Sequence, residues 1–254
     1  MQNIRKKLKT ASKGNEKFAN FSKKIIKTKK KIIGVRTPDL RQIAKEEIKK
    51  IKNLHKDNNN KIDKTIYEKI NFYLDNIDKN IYEEIIFIGM LINYSNIDDK
   101  LKIKLIRKYL KFADSWAYTD LFNVEKSKLN DKAYWNFVLE SMTSKNEFLC
   151  RFGIVFAMKK FLDDKKIDYL FGEIRKIRND SYYVKMGIAW FYAEAGVNFY
   201  DKTLNELTRR IDNKKLKENE VLLDKWTYNK SLTKMAESRR YTAEQKKDIR
   251  GLKL

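Results

Sequence analysis

Residues 112–125, FADSWAYTDLFNVE, place an aromatic ring and a carboxylate four positions apart. Asp114 or Ser115 is suited to cap a helix N-terminus, so a helix is predicted to begin here with Trp116 and Asp120 on one face, one turn apart. Because the chain has a formal net charge of +23, an acid beside an indole suggests a site on a surface that attracts polyanions. The alternative is an ordinary amphipathic helix with a buried Trp and a solvated Asp.

The side chains most often used for metal ligation and nucleophilic catalysis are rare in this chain. His55 and Cys150 are the only histidine and the only cysteine, and neither an HExxH nor a CxxC spacing occurs. A zinc site and a Ser–His or Cys–His nucleophile are therefore not expected. A carboxylate metal site stays open, but no acidic cluster points to one, so we expect neither a metal nor a cofactor. A single cysteine allows no intramolecular disulfide, which suits a reducing cytosol.

The charge balance favours a nucleic-acid partner. Lys and Arg number 57 against 34 Asp and Glu, and the pI is about 9.7. Neutralising phosphates and releasing their counterions drives the non-specific binding of basic proteins to nucleic acids. The alternative is compositional bias, because an AT-rich genome produces a chain rich in Lys, Ile and Asn without selection for binding.

Few helix breakers and long 3.6-residue periodicities predict an all-α protein, in which Pro38 is the only proline. The first helices are predicted over residues 2–12 and 15–28. The second carries an apolar face of Phe18, Phe21, Ile25 and Ile26. Thr37 is suited to cap a third helix, with Pro38 at its first position. The buried stripe of that helix is predicted to be Leu40, Ile43, Ala44 and Ile48. The run HKDNNNKIDK from His55 is predicted to be a polar loop.

Four helix pairs repeat along the chain. They begin near Asn80, Asp114, Lys145 and Asp180, so their starts lie 34, 31 and 35 residues apart. A period in the thirties with two helices per unit is typical of an α-solenoid, in which stacked pairs form a concave surface. The end of the chain, from Glu218, is predicted to form one long and one short capping helix. No linker or change of composition divides the chain, so we predict a single domain over residues 1–254, curved into an arc.

Stacking of the pairs would align residues that are distant in sequence. If the first helix of each pair lines the concave face, four side chains meet there: Trp116, Asp120, Arg151 and Trp190. For each of them, taken singly, a structural role is the alternative. Trp135 and Trp226 lie in apolar stripes and are predicted to belong to the core.

Four segments carry a family resemblance. They are GVRTPDLRQIAKE at residues 34–46, SWAYTD at 115–120, CRFGIVFAM at 150–158 and YYVKMGIAW at 182–190. In their order and spacing they resemble the HEAT-like DNA alkylation repair family, the AlkD-type DNA glycosylases. The resemblance implies an arc of HEAT-like helical repeats that cradles duplex DNA and removes N3- or N7-alkylated purines.

The resemblance also implies roles for individual residues. In such enzymes two Trp and one Asp form the catalytic cleft, and an Arg helps to hold the DNA backbone. By motif position, the catalytic residues are Trp116, Asp120 and Trp190. The expected DNA-binding residues are Arg151, Arg36, Arg41 and Lys185. Arg36 and Arg41 project from the start of the third helix, where the helix dipole also helps to hold an anion.

The implied chemistry needs few groups. An N3- or N7-alkylated purine is already positively charged, so it leaves without a general acid. Ionised Asp120 is expected to offset the charge of an oxocarbenium-like sugar and to position the attacking water. Trp116 and Trp190 are expected to press their rings on the deoxyribose, where cation–π attraction contributes ~0.5–2 kcal/mol per ring.

Two functions of different classes follow. The first is a monomeric, metal-free glycosylase acting on double-stranded DNA that carries alkylated purines. The alternative is a non-catalytic HEAT-like scaffold that binds nucleic acid or protein on its concave face. The N-terminal segment lacks the apolar core of a signal peptide. The longest apolar run, IIFIGMLI, has eight residues and is too short to span a bilayer. We therefore expect a cytoplasmic protein without a membrane segment.

Overall fold

The computed structural model describes residues 1–53, 59–123, 131–209 and 222–254. Within these ranges the regular structure is helical, apart from one isolated parallel bridge between Lys31 and Ile81. The prediction of an all-α fold is confirmed, while curvature into a concave arc stays a prediction. The fourteen helices of the described ranges are α1 (Gln2–Ser12), α2 (Glu16–Ile26), α3 (Thr37–Asn53), α4 (Asn59–Asn76), α5 (Tyr82–Tyr94), α6 (Asp99–Leu110), α7 (Ala117–Asp120), α8 (Asp131–Met142), α9 (Glu147–Lys160), α10 (Ile167–Arg175), α11 (Tyr182–Asn198), α12 (Tyr200–Thr208), α13 (Lys225–Glu237) and α14 (Ala243–Gly251).

The helices follow the predicted repeat. The four pairs correspond to α5–α6, α7–α8, α9–α10 and α11–α12, and each first helix begins two or three residues after its predicted start. The long and the short capping helix correspond to α13 and α14. Glu218, where the capping region was predicted to begin, lies outside the described residues, as does Glu125 at the end of the FADSWAYTDLFNVE segment.

Side-chain caps explain where several helices begin. Asp98, Asn146 and Asp224 each accept hydrogen bonds from two backbone N–H groups in the first turns of α6, α9 and α13. Thr242 and Gln245 form a capping box at the start of α14. Such caps satisfy backbone donors that have no partner within the helix, so the sequence alone defines these starts closely.

The start of α3 differs by one residue from the prediction. The N–H of Leu40 donates to the carbonyl of Arg36 at 3.0 Å, so Arg36 occupies the cap position and Thr37 is the first helical residue. The predicted buried stripe of α3 is confirmed at all four positions. The predicted polar loop from His55 is wrong at its end, because residues 59–64 belong to α4. His55 itself lies outside the described residues.

The apolar face predicted for α2 is only partly buried. Ala19 and Ser22 are its buried residues, whereas Phe21 is 60% exposed and Ile25 is 48% exposed. The helix is therefore rotated so that its smallest side chains face the protein. Helical periodicity predicts which residues share a face, but the neighbouring elements decide how much of that face they cover.

The chain divides into two compact units, residues 1–134 and residues 135–254, with the division inside α8. In unit 1, the apolar run of α5 is buried on all sides, and α5 packs against α3, α4 and α6. Gly89 permits this packing, because a Cβ at that position would lie 2.6 Å from the hydroxyl of Tyr109. A single domain over residues 1–254 stays a prediction.

In unit 2, α11 packs against α9, α12 and α13 and is buried along much of its length. The prediction that Trp226 belongs to the core is wrong, because this second residue of α13 is 41% exposed and packs beside Tyr182. Trp135 is half-buried and contacts Phe161, with ring centroids 5.2 Å apart. Apolar neighbours in sequence did not show how far either ring reaches the surface.

Within the described ranges, none of the helices combines the length and the apolar character that a membrane crossing requires.

Candidate active site

Trp116 and Asp120 lie one helical turn apart in unit 1, as predicted. Trp116 immediately precedes the short helix α7 and Asp120 is its last residue, and the N–H of Asp120 donates to the carbonyl of Trp116 at 3.1 Å. Both side chains are half-buried, so both reach the surface. The hydroxyl of Thr119 lies 2.7 Å from Oδ1 of Asp120 and 2.8 Å from the carbonyl of Trp116. Thr119 thereby orients the carboxylate relative to the turn that carries the indole.

The predicted capping role of Asp114 and Ser115 is wrong, because α7 has no side-chain cap. Asp114 instead accepts hydrogen bonds from the hydroxyl of Thr28 at 2.7 Å and the N–H of Lys29 at 3.1 Å. It also forms a salt bridge of 3.0 Å with Lys30. The backbone N–H groups at a helix start and donors from elsewhere in the fold compete for the same carboxylate. Here residues 28–30, which follow α2, provide the donors.

Backbone carbonyls at the end of α2 accept hydrogen bonds from the candidate site. The hydroxyl of Ser115 donates to the carbonyl of Ile26 at 2.6 Å, and the indole N–H of Trp116 donates to the carbonyl of Ile25 at 3.4 Å. The last carbonyls of a helix have no intrahelical partner, so they are available for such bonds. Lys27 ends α2 with φ of 50°, a left-handed conformation that is uncommon for a residue with a side chain. This turn directs the chain away from the two carbonyls.

The buried side of α7 is aromatic. Tyr118 is buried and meets Tyr82 edge to face, with ring centroids 5.5 Å apart. Nζ of Lys30 lies 5.2 Å from the centre of the Tyr118 ring. Burial raises the pKa of Tyr118 and of Tyr82, so both phenols stay neutral at physiological pH. These two phenols therefore add no charge to the surroundings of α7 at physiological pH.

A buried acid holds the segment that carries Arg36. Glu83 is 1% exposed and accepts hydrogen bonds from the N–H groups of Ile33, Gly34 and Val35 at 2.7–3.3 Å. Burial raises the pKa of Glu83, while these backbone hydrogen bonds oppose the shift. Gly34 has φ of 93°, and a Cβ there would lie 2.9 Å from the carbonyl of Asn15. This geometry fixes the approach to α3.

Arg36, at the cap position of α3, and Arg41, in its first turns, are both exposed. The guanidinium of Arg36 lies 5.1 Å from the centre of the Phe18 ring. Helix α2 thus contacts two of the predicted site residues. Its Phe18 contacts Arg36, and the carbonyl of Ile25 in its last turn accepts the bond from Trp116. The exposed Arg41 side chain lies on the first turns of α3, where the helix dipole also favours anions.

Arg151 of unit 2 is directed into the protein. It is 5% exposed, and its guanidinium donates to the carbonyl of Tyr183 at 2.9 Å. Gly187 of α11 lies beside this side chain, and a Cβ there would meet the guanidinium at an ordinary contact distance of 3.6 Å. Arg151 therefore joins α9 to the first turns of α11.

Trp190 of unit 2 is half-buried and lies among charged side chains. Its indole N–H donates to Glu194 at 3.1 Å, and Arg240 contacts the same carboxylate oxygen at 2.5 Å. Nζ of Lys159 lies 6.0 Å from the centre of its ring. Arg151 and Trp190 line the same open pocket of about 360 Å³. The structure thus brings these two predicted residues together.

Lys185 lies on another side of unit 2. Its ammonium forms a salt bridge of 3.4 Å with Asp224 and lies 5.7 Å from the centre of the Trp226 ring. Asp224 is the N-cap of α13, so the lysine is held at the start of that helix.

The sequence profile of a family described as DNA alkylation repair enzyme matches residues 4–215. The chain belongs to this family. The match includes all seven predicted site residues. A search of curated proteins and a search of solved structures each found no match.

Several contacts of this family member were not predicted from its sequence. They involve Thr28, Glu83, Asp114, Lys159, Glu194 and Arg240. Glu83 could have been found, because an acid in the run IYEEIIFIGMLI needs a specific partner when buried. Glu194 follows Trp190 by four residues, which is the spacing that singled out Asp120. The other contacts depend on tertiary neighbours.

Metal binding and thiol chemistry are two further possibilities for the described residues. In the part of the chain that the structure describes, no group of three or more His, Cys, Asp or Glu side chains is placed to hold a metal ion. Cys150 is buried, and its thiol donates to the carbonyl of Met142 at 3.1 Å. Burial raises the pKa of Cys150 to about 12, so the thiol stays protonated.

Proposed function

We propose that this member of the DNA alkylation repair enzyme family is a DNA glycosylase that hydrolyses the N-glycosidic bond of N3- or N7-alkylated purines in duplex DNA. The observation that carries the proposal is the pairing of Trp116 and Asp120, both at the surface, on one turn of unit 1. The basic segment 23–31 supports that turn and supplies positive charge for the DNA backbone.

The proposed reaction uses the charge that alkylation places on the base. The bond between C1′ and the purine nitrogen breaks, and its electron pair neutralises the purine. Asp120 stabilises the cationic sugar and orients a water molecule, whose oxygen bonds to C1′ and whose proton passes to the carboxylate or to solvent. The ring of Trp116 contacts the deoxyribose and favours its positive charge by cation–π attraction. No general acid is needed.

In this proposal, unit 2 also has residues that contact DNA. Trp190 supplies a second ring, and Arg151, which lines the same pocket, supplies positive charge for the backbone. Arg36, Arg41 and Lys185 contact phosphates. The protein acts as a monomer in the cytoplasm, without a metal or a cofactor.

The test is release of N7-methylguanine and N3-methyladenine from methylated duplex DNA under single-turnover conditions. Asp120→Asn keeps the size of the side chain and removes its charge. Asp75→Asn is the matched control, because Asp75 is an exposed acid of unit 1 that pairs with Lys108. We expect base release to collapse only in Asp120→Asn, with DNA binding retained. Equal release by all three proteins would remove Asp120 from the chemistry.

A nucleic-acid-binding scaffold without catalysis is the second candidate function. Arg151 donates to a backbone carbonyl and the N–H of Trp190 donates to Glu194, so these two side chains make intramolecular contacts. A scaffold needs no more than the exposed basic residues. Wild-type protein that binds duplex DNA, with affinity that falls steeply as salt rises, yet releases no base would establish this function instead.

A further inference from the structure

Helix α2 exposes two large apolar side chains beside the candidate site. Phe21 and Ile25 lie one helical turn apart and are 60% and 48% exposed. The carbonyl of Ile25 accepts the hydrogen bond from the indole N–H of Trp116. Phe21 and Ile25 therefore form an exposed apolar strip on α2, and the backbone of Ile25 bonds to the indole that lies one turn before Asp120.

The surroundings of this apolar strip indicate the kind of partner that it contacts. Residues 16–31 contain seven lysines and a single acid, Glu16. The lysines at positions 17, 23, 24, 27 and 29 are exposed. A partner that covers the strip must thus offer apolar surface between closely spaced negative charges. The grooves of duplex DNA meet this requirement, because sugars and base edges lie between two lines of phosphates.

We infer that Phe21 and Ile25 form an apolar wedge that enters the minor groove next to the damaged nucleotide and loosens the base stack there. This inference rests on the proposed function, because it assumes that unit 1 binds duplex DNA. Proteins that insert apolar side chains at a base step partly unstack it and bend the duplex. Loosening of the stack exposes C1′ of the neighbouring nucleotide to Asp120. Phe21 and Ile25 are thus positioning residues and take no part in bond breaking.

The chain offers a matched control for this wedge. Phe72 of α4 is 51% exposed, lies in unit 1 and has a lysine, Lys69, within 5.5 Å of its ring centre. Phe72→Ala removes the same side chain from another exposed position. Lys24→Ala removes a charge from α2 and leaves the apolar strip intact.

The experiment uses duplex DNA with 2-aminopurine beside a tetrahydrofuran abasic-site analogue, because 2-aminopurine fluoresces more strongly when it is unstacked. We expect wild-type protein to raise the fluorescence and Phe21→Ala with Ile25→Ala to abolish the increase. Base release from methylated DNA should slow about tenfold in this double variant, the change expected for loss of a buried Phe contact. Phe72→Ala should match wild type in both assays.

The outcomes separate this inference from the proposed function. Lys24→Ala should weaken binding and lower the salt slope by about one, whereas the double variant should keep the wild-type slope. If wild type binds DNA and releases base, but the double variant behaves like Phe72→Ala, the wedge is overturned and the glycosylase stands. If wild type binds no duplex DNA, both proposals fail. Thermal unfolding of each variant shows whether it is folded. Phe21→Leu keeps an apolar side chain at this position, so it should retain most of the fluorescence increase that the double alanine variant loses.

Discussion

Each of the two units carries a tryptophan followed four residues later by an acid, and the two pairs make different contacts. Trp116 and Asp120 in unit 1, and Trp190 and Glu194 in unit 2, are each four residues apart. In unit 2 the indole N–H donates to the acid of its own pair, and Arg240 contacts the same oxygen. In unit 1 the indole N–H donates to the carbonyl of Ile25 instead.

This difference bears on whether each carboxylate can stabilise a cationic sugar. Glu194 shares one oxygen between an indole and a guanidinium, so its charge is offset within the protein. The indole of the Asp120 pair uses a backbone acceptor, and the hydroxyl of Thr119 lies against Oδ1 of the acid. A carboxylate that must stabilise a cationic sugar cannot already be neutralised by an arginine. The bond to Arg240 therefore counts against Glu194 as the catalytic acid.

The largest effect that we predict tests this comparison directly. Asp120→Asn should lower single-turnover base release about 10²–10³-fold, the usual loss when one charge-stabilising group is removed. Glu194→Gln should lower it less than about threefold, because its charge is already offset by Arg240. Both variants are measured on the same methylated duplex. The reverse order of effects would move the candidate site from unit 1 to unit 2.

A second prediction contrasts buried and exposed arginines. Arg151→Ala should lower the free energy of unfolding by about 2 kcal/mol, because it removes buried packing and the bond to the Tyr183 carbonyl. Arg36→Ala, at an exposed position, should change stability by less than about 0.5 kcal/mol but weaken DNA binding. Urea denaturation and DNA titration measure the two effects. Wild-type stability in Arg151→Ala would contradict the structural account of this residue.

A third prediction concerns the acid that holds the approach to α3. Glu83→Gln should destabilise the protein by about 1–3 kcal/mol at neutral pH, because it replaces an acceptor oxygen with an N–H donor that faces backbone N–H groups. The effect is measured by denaturant unfolding. Glu47→Gln is a suitable comparison, because Glu47 is also a buried acid of unit 1 and accepts from a single hydroxyl, that of Tyr73.

The stability difference between wild type and Glu83→Gln should depend on pH, because the pKa of Glu83 is shifted. Burial raises the folded-state pKa of Glu83 above its usual value of 4.5. The stability that this shift contributes is fully present below pH 4.5 and is lost as the pH rises through the raised pKa. Wild type should therefore gain stability relative to Glu83→Gln as the pH falls toward 4.5. If the difference in free energy of unfolding between wild type and Glu83→Gln instead narrows as the pH falls, the folded-state pKa of Glu83 is lowered.

The smallest predicted effect concerns Lys27. Lys27→Gly should stabilise the protein by about 1 kcal/mol, because glycine adopts positive φ without the cost that a Cβ imposes. The same change removes one charge beside the candidate site, so the salt slope of DNA binding should fall by about one if Lys27 contacts a phosphate. Lys27→Ala is the control, with the same loss of charge and no gain in stability. An equal rise in melting temperature for both variants would exclude the backbone explanation.

Much of the fold could be predicted, and less of the candidate site. Helix α1 and the four pairs followed from periodicity, since the residues that define a helical face lie three or four positions apart. The apolar face of α2 was identified, but not its exposure. At the site, the one-turn relation of Trp116 and Asp120 was predicted correctly. Asp114 and Ser115 were assigned to capping, whereas Asp114 binds Thr28 after α2 and Ser115 binds the last carbonyl of α2.

The sequence by itself determined the all-α class, the paired helices, the excess of positive charge and the family. These properties depend on composition, on local spacing and on ordered motifs. Only the tertiary structure decided that Glu194 pairs with an arginine and that the Trp116 indole bonds to the end of a helix. Glu194 meets Arg240 across 46 residues of chain, and Trp116 meets Ile25 across 91. Periodicity carries no information about such partners, because they are brought together by the packing of elements that are distant in sequence.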